Sequence, residues 1–197
     1  KKQMKIILAS KSGVRKQILE DNNIDFDVIV SNVDEDEVKA SLLNEGADPL
    51  IISKNLAEIK SIKVSGNNPD RLVLGADSVI SLNNKLINKP KTREEALSIL
   101  KMLNNSKHFL ISSVCISKNG SMVWNHSDMS ELRMKKLTDI QLREYLNKIK
   151  TETLLAYGVY QVEAEGLELF EYIKGDHNSI MGLPIKDIMN YINQYKK

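Results

Sequence analysis

The sequence predicts an α/β protein built on a mixed, strongly twisted sheet, flanked by helices, with a cleft between two lobes. Short apolar runs alternate with segments of helical spacing through the first half, a β–α–β–α–β order that lays helices on a sheet. Asn119-Gly120 lies between strand-like segments His108 to Lys118 and Ser121 to Met134, a strong signal for a long antiparallel hairpin. A strictly parallel doubly wound sheet fits that hairpin poorly. At 197 residues the chain suffices for one large domain, or two small lobes sharing a cleft, and we treat residues 1–197 as a single domain.

Lys5 to Ala9 is a short apolar strand closed by Ser10-Lys11-Ser12-Gly13. Ser12 is the expected N-cap of a helix whose Val14, Ile18 and Leu19 fall on one face. Phe26 to Val30 reads as a second strand, and Asp34 to Glu37 as a solvated acidic turn. Asp48-Pro49 sets an N-cap before proline at the first helical position, and Leu56, Ile59 and Ile62 carry that helix to a stop at Gly66. Leu72 to Leu82 is strand-like and turns at Asn83-Asn84 into Lys85 to Ile87. Thr92-Arg93-Glu94-Glu95 is a capping box for a helix to Leu103, and Thr138-Asp139-Ile140-Gln141 heads another to Ile149. Leu167 to Ile173 is a further strand, and Pro184 starts the last helix.

Hydrophobic residues at 42% and charged residues at 27% are those of a folded globular chain. A net charge of +2 argues against a broad nucleic-acid surface but leaves room for a local cationic pocket. The single cysteine, Cys115, cannot close an internal disulfide, which fits a reducing compartment; its apolar run makes it a buried strand residue. No apolar run approaches the ~20 residues that span a bilayer. Ile6 to Ala9 is too short for a signal-peptide core. The expectation is a soluble, cytoplasmic protein with no membrane and no nucleic-acid partner. His108, His126 and His177 show no ligand spacing with one another or with Cys115, and no Gly-x-Ser-x-Gly or Walker-type loop occurs.

Several residues suit anion chemistry. Ser10, Ser12 and Gly13 stand where a strand hands over to a helix, so backbone N–H groups there can cradle an anion. Arg15 follows in the first helical turn and can grip an oxygen pair bidentately. Lys60 lies on the second helix, and Lys89 is biased toward an extended conformation by Pro90. Taken singly, each lysine is as well explained as a solvated surface group. Asp77 is more telling, because it ends the apolar run Leu72-Val73-Leu74-Gly75-Ala76. A carboxylate at the end of a buried strand is costly unless it binds a cation or takes part in chemistry. Glu35, on its own, belongs to the acidic turn.

In combination and in order, these segments resemble the Maf family. Leu8-Ala9-Ser10-Lys11-Ser12-Gly13-Val14-Arg15 resembles its amino-terminal signature, Ala-Ser-x-Ser-Pro followed by arginines. Val33-Asp34-Glu35, Leu56-Ala57-Glu58-Ile59-Lys60, Gly75-Ala76-Asp77-Ser78-Val79, Lys89-Pro90, Gly158 to Glu163 and Gly182-Leu183-Pro184 match the later blocks. The resemblance implies a nucleotide pyrophosphatase dependent on a divalent cation (magnesium or manganese), a sheet like that of inosine-triphosphate-type pyrophosphatases, and a homodimer. It makes Asp77 the catalytic carboxylate, gives Glu35 and Asp77 to the metal, and gives Ser10, Arg15, Lys60 and Lys89 to the phosphates. A water positioned or deprotonated by Asp77 then attacks the α-phosphorus of a nucleoside triphosphate, and pyrophosphate leaves.

Specificity rests on Val14, Ser78 and Glu163. The family proline is Gly13 here, and Val14 stands where the thymidine/uridine branch has arginine and the 7-methylguanosine branch an aromatic. Glu163 resembles the glutamate of the 7-methyl-GTP branch, where the pyrimidine branch carries glutamine. Guanine presents two neighbouring donors, which suit a carboxylate, and N7-methylation adds positive charge. Ser78 decides nothing between them. Trp124 and Tyr160 are aromatics available for stacking or for the core. The expected substrate is a modified nucleotide such as 7-methyl-GTP; the alternatives are a dTTP/UTP pyrophosphatase and a nucleotide-binding cell-division regulator with little turnover.

Overall fold

The computed structural model describes residues 4–162 and 164–197. In chain order the elements are β1 (Ile6–Leu8), α1 (Gly13–Asp21), β2 (Phe26–Val28), α2 (Glu35–Asn44), α3 (Pro49–Ser65), β3 (Val73–Leu82) and β4 (Lys85–Ile87). There follow α4 (Arg93–Leu103), β5 (Lys107–Lys118), β6 (Ser121–Met134), α5 (Asp139–Asn147), α6 (Thr151–Tyr157), a 3-10 helix (Ala164–Leu169), β7 (Phe170–Lys174), α7 (His177–Met181) and α8 (Ile185–Tyr195). Ser12, Asp48 and Thr92 each accept a backbone N–H three residues on, and Thr138 with Gln141 forms a full capping box; the box expected at Thr92 is only half formed, because the Glu95 side chain reaches back to the Lys91 N–H instead. Both hairpin turns carry positive φ at their two central residues, Asn83-Asn84 and Asn119-Gly120, the geometry that matches strand twist.

The sheet is seven-stranded and mixed, in the order β2-β1-β3-β5-β6-β7 with β4 also on β3. β1 runs parallel to β2 and β3, and all the remaining pairings are antiparallel. β3 continues far beyond its short partner. On that edge β1 pairs only with Val73 and Leu74, and β4 begins at Ile80. Between the two, residues 75–79 have no neighbouring strand on that side, and a cleft opens there.

Two hydrophobic cores flank this gap. One gathers Leu100 and Leu103 of α4, Leu132 and Met134 of β6, Leu142 and Leu146 of α5, and Leu154 of α6. The other gathers Ile6 and Leu8 of β1, Leu19 of α1, Leu74 of β3, Ile116 of β5, and Ile188 and Ile192 of α8. β3 and β5 run through both, and at their midpoint the apolar pattern gives way to Asp77 opposite Ser113 and Ser78 opposite Ser112. The two expected lobes are these two cores, with hydroxyl groups between them.

Three differences from the sequence reading matter. Asp34 to Glu37 is not a turn: Asp34 caps α2 by accepting from the Glu37 N–H, and Glu35 opens that helix. The strand read as Leu167 to Ile173 starts later, at Phe170, after the 3-10 helix, and α6 and α7 are additional short helices. Cys115 is buried in β5 as expected. No helix among the described residues is long and apolar enough to cross a membrane.

Candidate active site

The cleft has a volume of about 700 Å³, in the range of small-molecule sites. Its lining carries five cationic side chains (Lys11, Arg15, Lys39, Lys60 and Lys89) against two carboxylates, Glu35 and Asp77. In a chain whose charges otherwise nearly cancel, that concentration of positive charge selects for a polyanion.

Asp77 is at the floor, 7% exposed. Its Oδ2 is buried without a hydrogen-bond partner among the described residues. Its carboxyl pKa is raised by burial, against the opposing pull of Lys60 and Arg15. Lys60, on α3, places its ammonium 2.8 Å from Glu35 Oε1 and 3.4 Å from Asp77 Oδ1, so one cation bridges the two carboxylates. Burial works against ionisation of Glu35, but Lys60, Lys39 and Lys89 outweigh it and hold its pKa below the usual range.

Gly75 lets these groups meet. A Cβ there would lie 2.3 Å from the Ala57 carbonyl oxygen and 2.8 Å from the Ser61 nitrogen, so only glycine lets α3 lie this close on β3. Ser53 of α3 donates to the Asp77 carbonyl (3.1 Å) and Ser61 to that of Val73 (2.8 Å), fixing the helix along the strand.

Arg15 is anchored from three sides. Its Nε donates to the Gly182 carbonyl at 2.9 Å, Nη1 to Ser10 Oγ at 3.2 Å, and Nη2 to Ser78 Oγ at 3.2 Å. Gly182 has φ of +121°, a left-handed backbone that points this carbonyl inward without strain. Of the five guanidinium N–H donors, two remain for a ligand. Ser78, grouped with the specificity positions in the sequence, is thus joined to the anion-binding group, and Ser112 backs it at 3.2 Å. Ser10 holds the Ser12 N–H as well as Arg15.

The cleft therefore brings together Ser10, Val14, Arg15, Glu35, Lys60, Asp77, Ser78 and Lys89. Lys89 is exposed as a residue, yet partial withdrawal of its ammonium from water, and then the like charge of Arg15, lower its pKa. Glu163 lies outside the described residues. Tyr160 lines the cleft and belongs to the first core, its hydroxyl 2.8 Å from His108 Nε2. Trp124 offers no surface to the cleft: it stacks between Tyr191 and His126, because α8 covers that face of β6. The residue missed in the sequence is Lys39, one helical turn beyond Glu35 on α2. It was hidden because α2 itself was read as a turn.

A second group able to hold a metal lies outside the cleft. His126, Asp128 and Asp187 bring ligand atoms within 4.8 Å of one another. His126 Nε2 is 2.7 Å from Asp128 and 3.3 Å from Asp187, so the three side chains already contact one another. Sequence spacing concealed it because Asp187 comes from the last helix.

Comparison with known proteins is consistent along the whole chain. The family profile described as Maf-like protein matches residues 5–195. A nucleoside triphosphate pyrophosphatase of Pelagibacter ubique is 59% identical over 191 residues, 97% of this chain and 98% of that protein. A 7-methyl-GTP pyrophosphatase of Rhizobium etli is 34% identical over 190 residues, 96% of each. Among solved structures, a nucleoside-triphosphatase / dITP/XTP pyrophosphatase from Mycobacterium abscessus superposes over 98% of this chain and 95% of that chain, at 11% identity and a TM-score of 0.46.

Proposed function

Since the chain belongs to the Maf-like protein family, we propose that it is a nucleoside triphosphate pyrophosphatase, releasing a nucleoside monophosphate and pyrophosphate. The observation that carries this reading is Asp77, a buried carboxylate with one unpartnered oxygen, surrounded by Arg15, Lys60 and Lys89 at the floor of a polyanion-sized cleft. A structural carboxylate in such a place is normally fully bonded; one left open is suited to chemistry.

In this reading Asp77 and Glu35 hold a divalent cation, magnesium or manganese. The fit rests on the orphaned Asp77 Oδ2 and on hard carboxylate oxygens facing each other across a cationic group, here the Lys60 ammonium. When bound, such an ion offsets phosphate charge and acidifies water. The remaining work falls to the chain. Arg15, Lys60 and Lys89 offset the roughly four negative charges of a triphosphate and strengthen as charge builds in the transition state. Asp77 takes the proton as the water oxygen bonds to the α-phosphorus, and the bond from that phosphorus to the α–β bridging oxygen breaks, so pyrophosphate departs.

For the base, the reading is 7-methyl-GTP or a similarly modified guanine nucleotide. Glu163, matching two donors on guanine, supports it, as does the name carried by the Rhizobium etli relative. The decisive assay is pyrophosphate release with magnesium across dTTP, UTP, CTP, GTP and 7-methyl-GTP. Preference for 7-methyl-GTP supports both reaction and base. Preference for dTTP or UTP keeps the reaction and overturns the role of Glu163. No release from a folded, metal-supplied protein moves the protein to the regulator alternative.

A further inference from the structure

Tyr157 closes α6 on the side of the first core, yet it lines the cleft and reaches the turn at the start of α1. A Cβ built at Gly13 would lie 3.6 Å from the Tyr157 hydroxyl, so the phenol stands against the anion-cradling segment from across the cleft. The residue is 42% exposed, and its hydroxyl makes no hydrogen bond among the described residues. On the facing side, the Ser12 N–H is taken by Ser10 and the Arg15 N–H by Ser12, which leaves the Gly13 and Val14 amides without partners. Arg15 and Lys11 stand next to them. One O–H and two N–H donors without partners therefore lie in one segment of the cleft, beside two cations, while the hydroxyls of Ser10 and Ser12 are already engaged as acceptors. A phosphate oxygen supplies what this arrangement lacks. Glycine at 13 keeps one of the N–H donors, which a proline there would remove.

Which phosphate it takes follows from depth. Asp77 is at the floor, whereas Gly13 and Tyr157 are exposed at the rim. Bond cleavage at the α-phosphorus beside Asp77 leaves the outer two phosphates at the rim. We infer that Tyr157 is a substrate-binding residue, donating its hydroxyl to the outer phosphates of the nucleoside triphosphate, the pair released as pyrophosphate. The inference rests on the pyrophosphatase reading above and adds a contact reaching the phosphate segment from the opposite lobe, so that substrate ties the two cores together.

The test is calorimetric titration of inorganic pyrophosphate, with magnesium, into the full chain and into Tyr157→Phe and Tyr157→Ala. Phenylalanine keeps the ring and its packing and removes only the donor. The expected result is binding about ten- to a hundredfold weaker in Tyr157→Phe, in line with one hydrogen bond to a charged group. Tyr157→Ala should be no better. Equal binding by the unaltered chain and Tyr157→Phe overturns the role of Tyr157 and leaves the pyrophosphatase reading standing. Absence of pyrophosphate binding in the unaltered chain also overturns the role of Tyr157, while the pyrophosphatase reading is decided separately by the release assay.

Discussion

Asp77→Asn should make the protein inactive and more stable at once. The substitution keeps the shape of the side chain and an acceptor for Lys60, but removes the charge. Burial raises the Asp77 pKa despite Lys60 and Arg15, so the ionised form is disfavoured in the folded protein relative to the unfolded chain. Below the ordinary carboxyl pKa of 3.8 the group is neutral in both states and costs nothing. As pH rises through the elevated folded value, the unfolded chain has already released the proton, and the penalty appears in full. The size follows from the buried charge: an incompletely paired buried group costs about 1–3 kcal/mol or more when charged, and the amide that replaces it, still unpaired on one side, keeps part of that cost. Against this, the pairing lost is the longer of the two that Lys60 makes, since its 2.8 Å contact with Glu35 survives. The net expectation is a gain of about 1–2 kcal/mol, a rise of roughly 2–8 °C in Tm for a chain of this size. Scanning calorimetry in chelator at neutral pH, and again near pH 4, measures it. The gap should narrow in acid, and also when magnesium is added to the unaltered protein. Turnover by Asp77→Asn should fall by about a thousandfold or more. A lower Tm for Asp77→Asn in chelator at neutral pH would refute the claim that burial outweighs the neighbouring cations.

The remaining predictions concern packing, pH and the base. Gly75→Ala should cost at least about 2 kcal/mol in chemical denaturation, because α3 must move off β3. The same shift carries Lys60 away from Asp77, so kcat/KM should drop by about a hundredfold even where the variant is folded. His108 is fully buried, and burial lowers its pKa from 6.5 to about 4. Between those values the unfolded chain takes up a proton that the folded one refuses, so stability falls as pH falls through that window, by up to about 3 kcal/mol. His108→Phe should flatten that slope in urea titrations at a series of pH values, and an unchanged slope would show that another group controls it. Glu163→Gln should shift the ratio of kcat/KM for 7-methyl-GTP over UTP by at least about tenfold toward UTP; a ratio that does not move removes Glu163 from the base pocket.

How much of this was legible beforehand depended on whether each element left a mark in the sequence. The long hairpin did, because Asn119-Gly120 must adopt positive φ at two successive residues and few pairs do so cheaply. Asp77 did, because an apolar strand that ends in a carboxylate contradicts its own pattern. α2 did not: none of its residues is buried, so it has no apolar face to betray a helical period. Glu35 and Lys39 were therefore invisible as a pair on one helix, and Glu35 entered the site only through resemblance. α6 has a single buried residue and no side-chain cap, which removes both usual signals. The gap in the sheet was out of reach for a different reason. It depends on β1 being only three residues long, and strand ends are set by which partners run out rather than by the local sequence.

The hydroxyl layer between the two cores has a consequence for how the site answers a change of charge. Ser53, Ser113 and Ser127 form one connected row, 2.9 and 2.8 Å apart, and Ser78 and Ser112 form another that runs to the Ser179 carbonyl. A hydroxyl reverses its dipole by rotating about a single C–O bond, and no heavy atom has to shift. The cleft is positive when bare and close to neutral once a triphosphate arrives. The row through Ser53, Ser113 and Ser127 can turn over in this way while the strand holding Asp77 stays fixed; the row through Ser78 keeps one direction, because Arg15 donates into Ser78 and Ser112 donates to a carbonyl. Polarisability and rigidity, usually alternatives in a protein interior, coexist where α3, β5 and β6 meet behind the site.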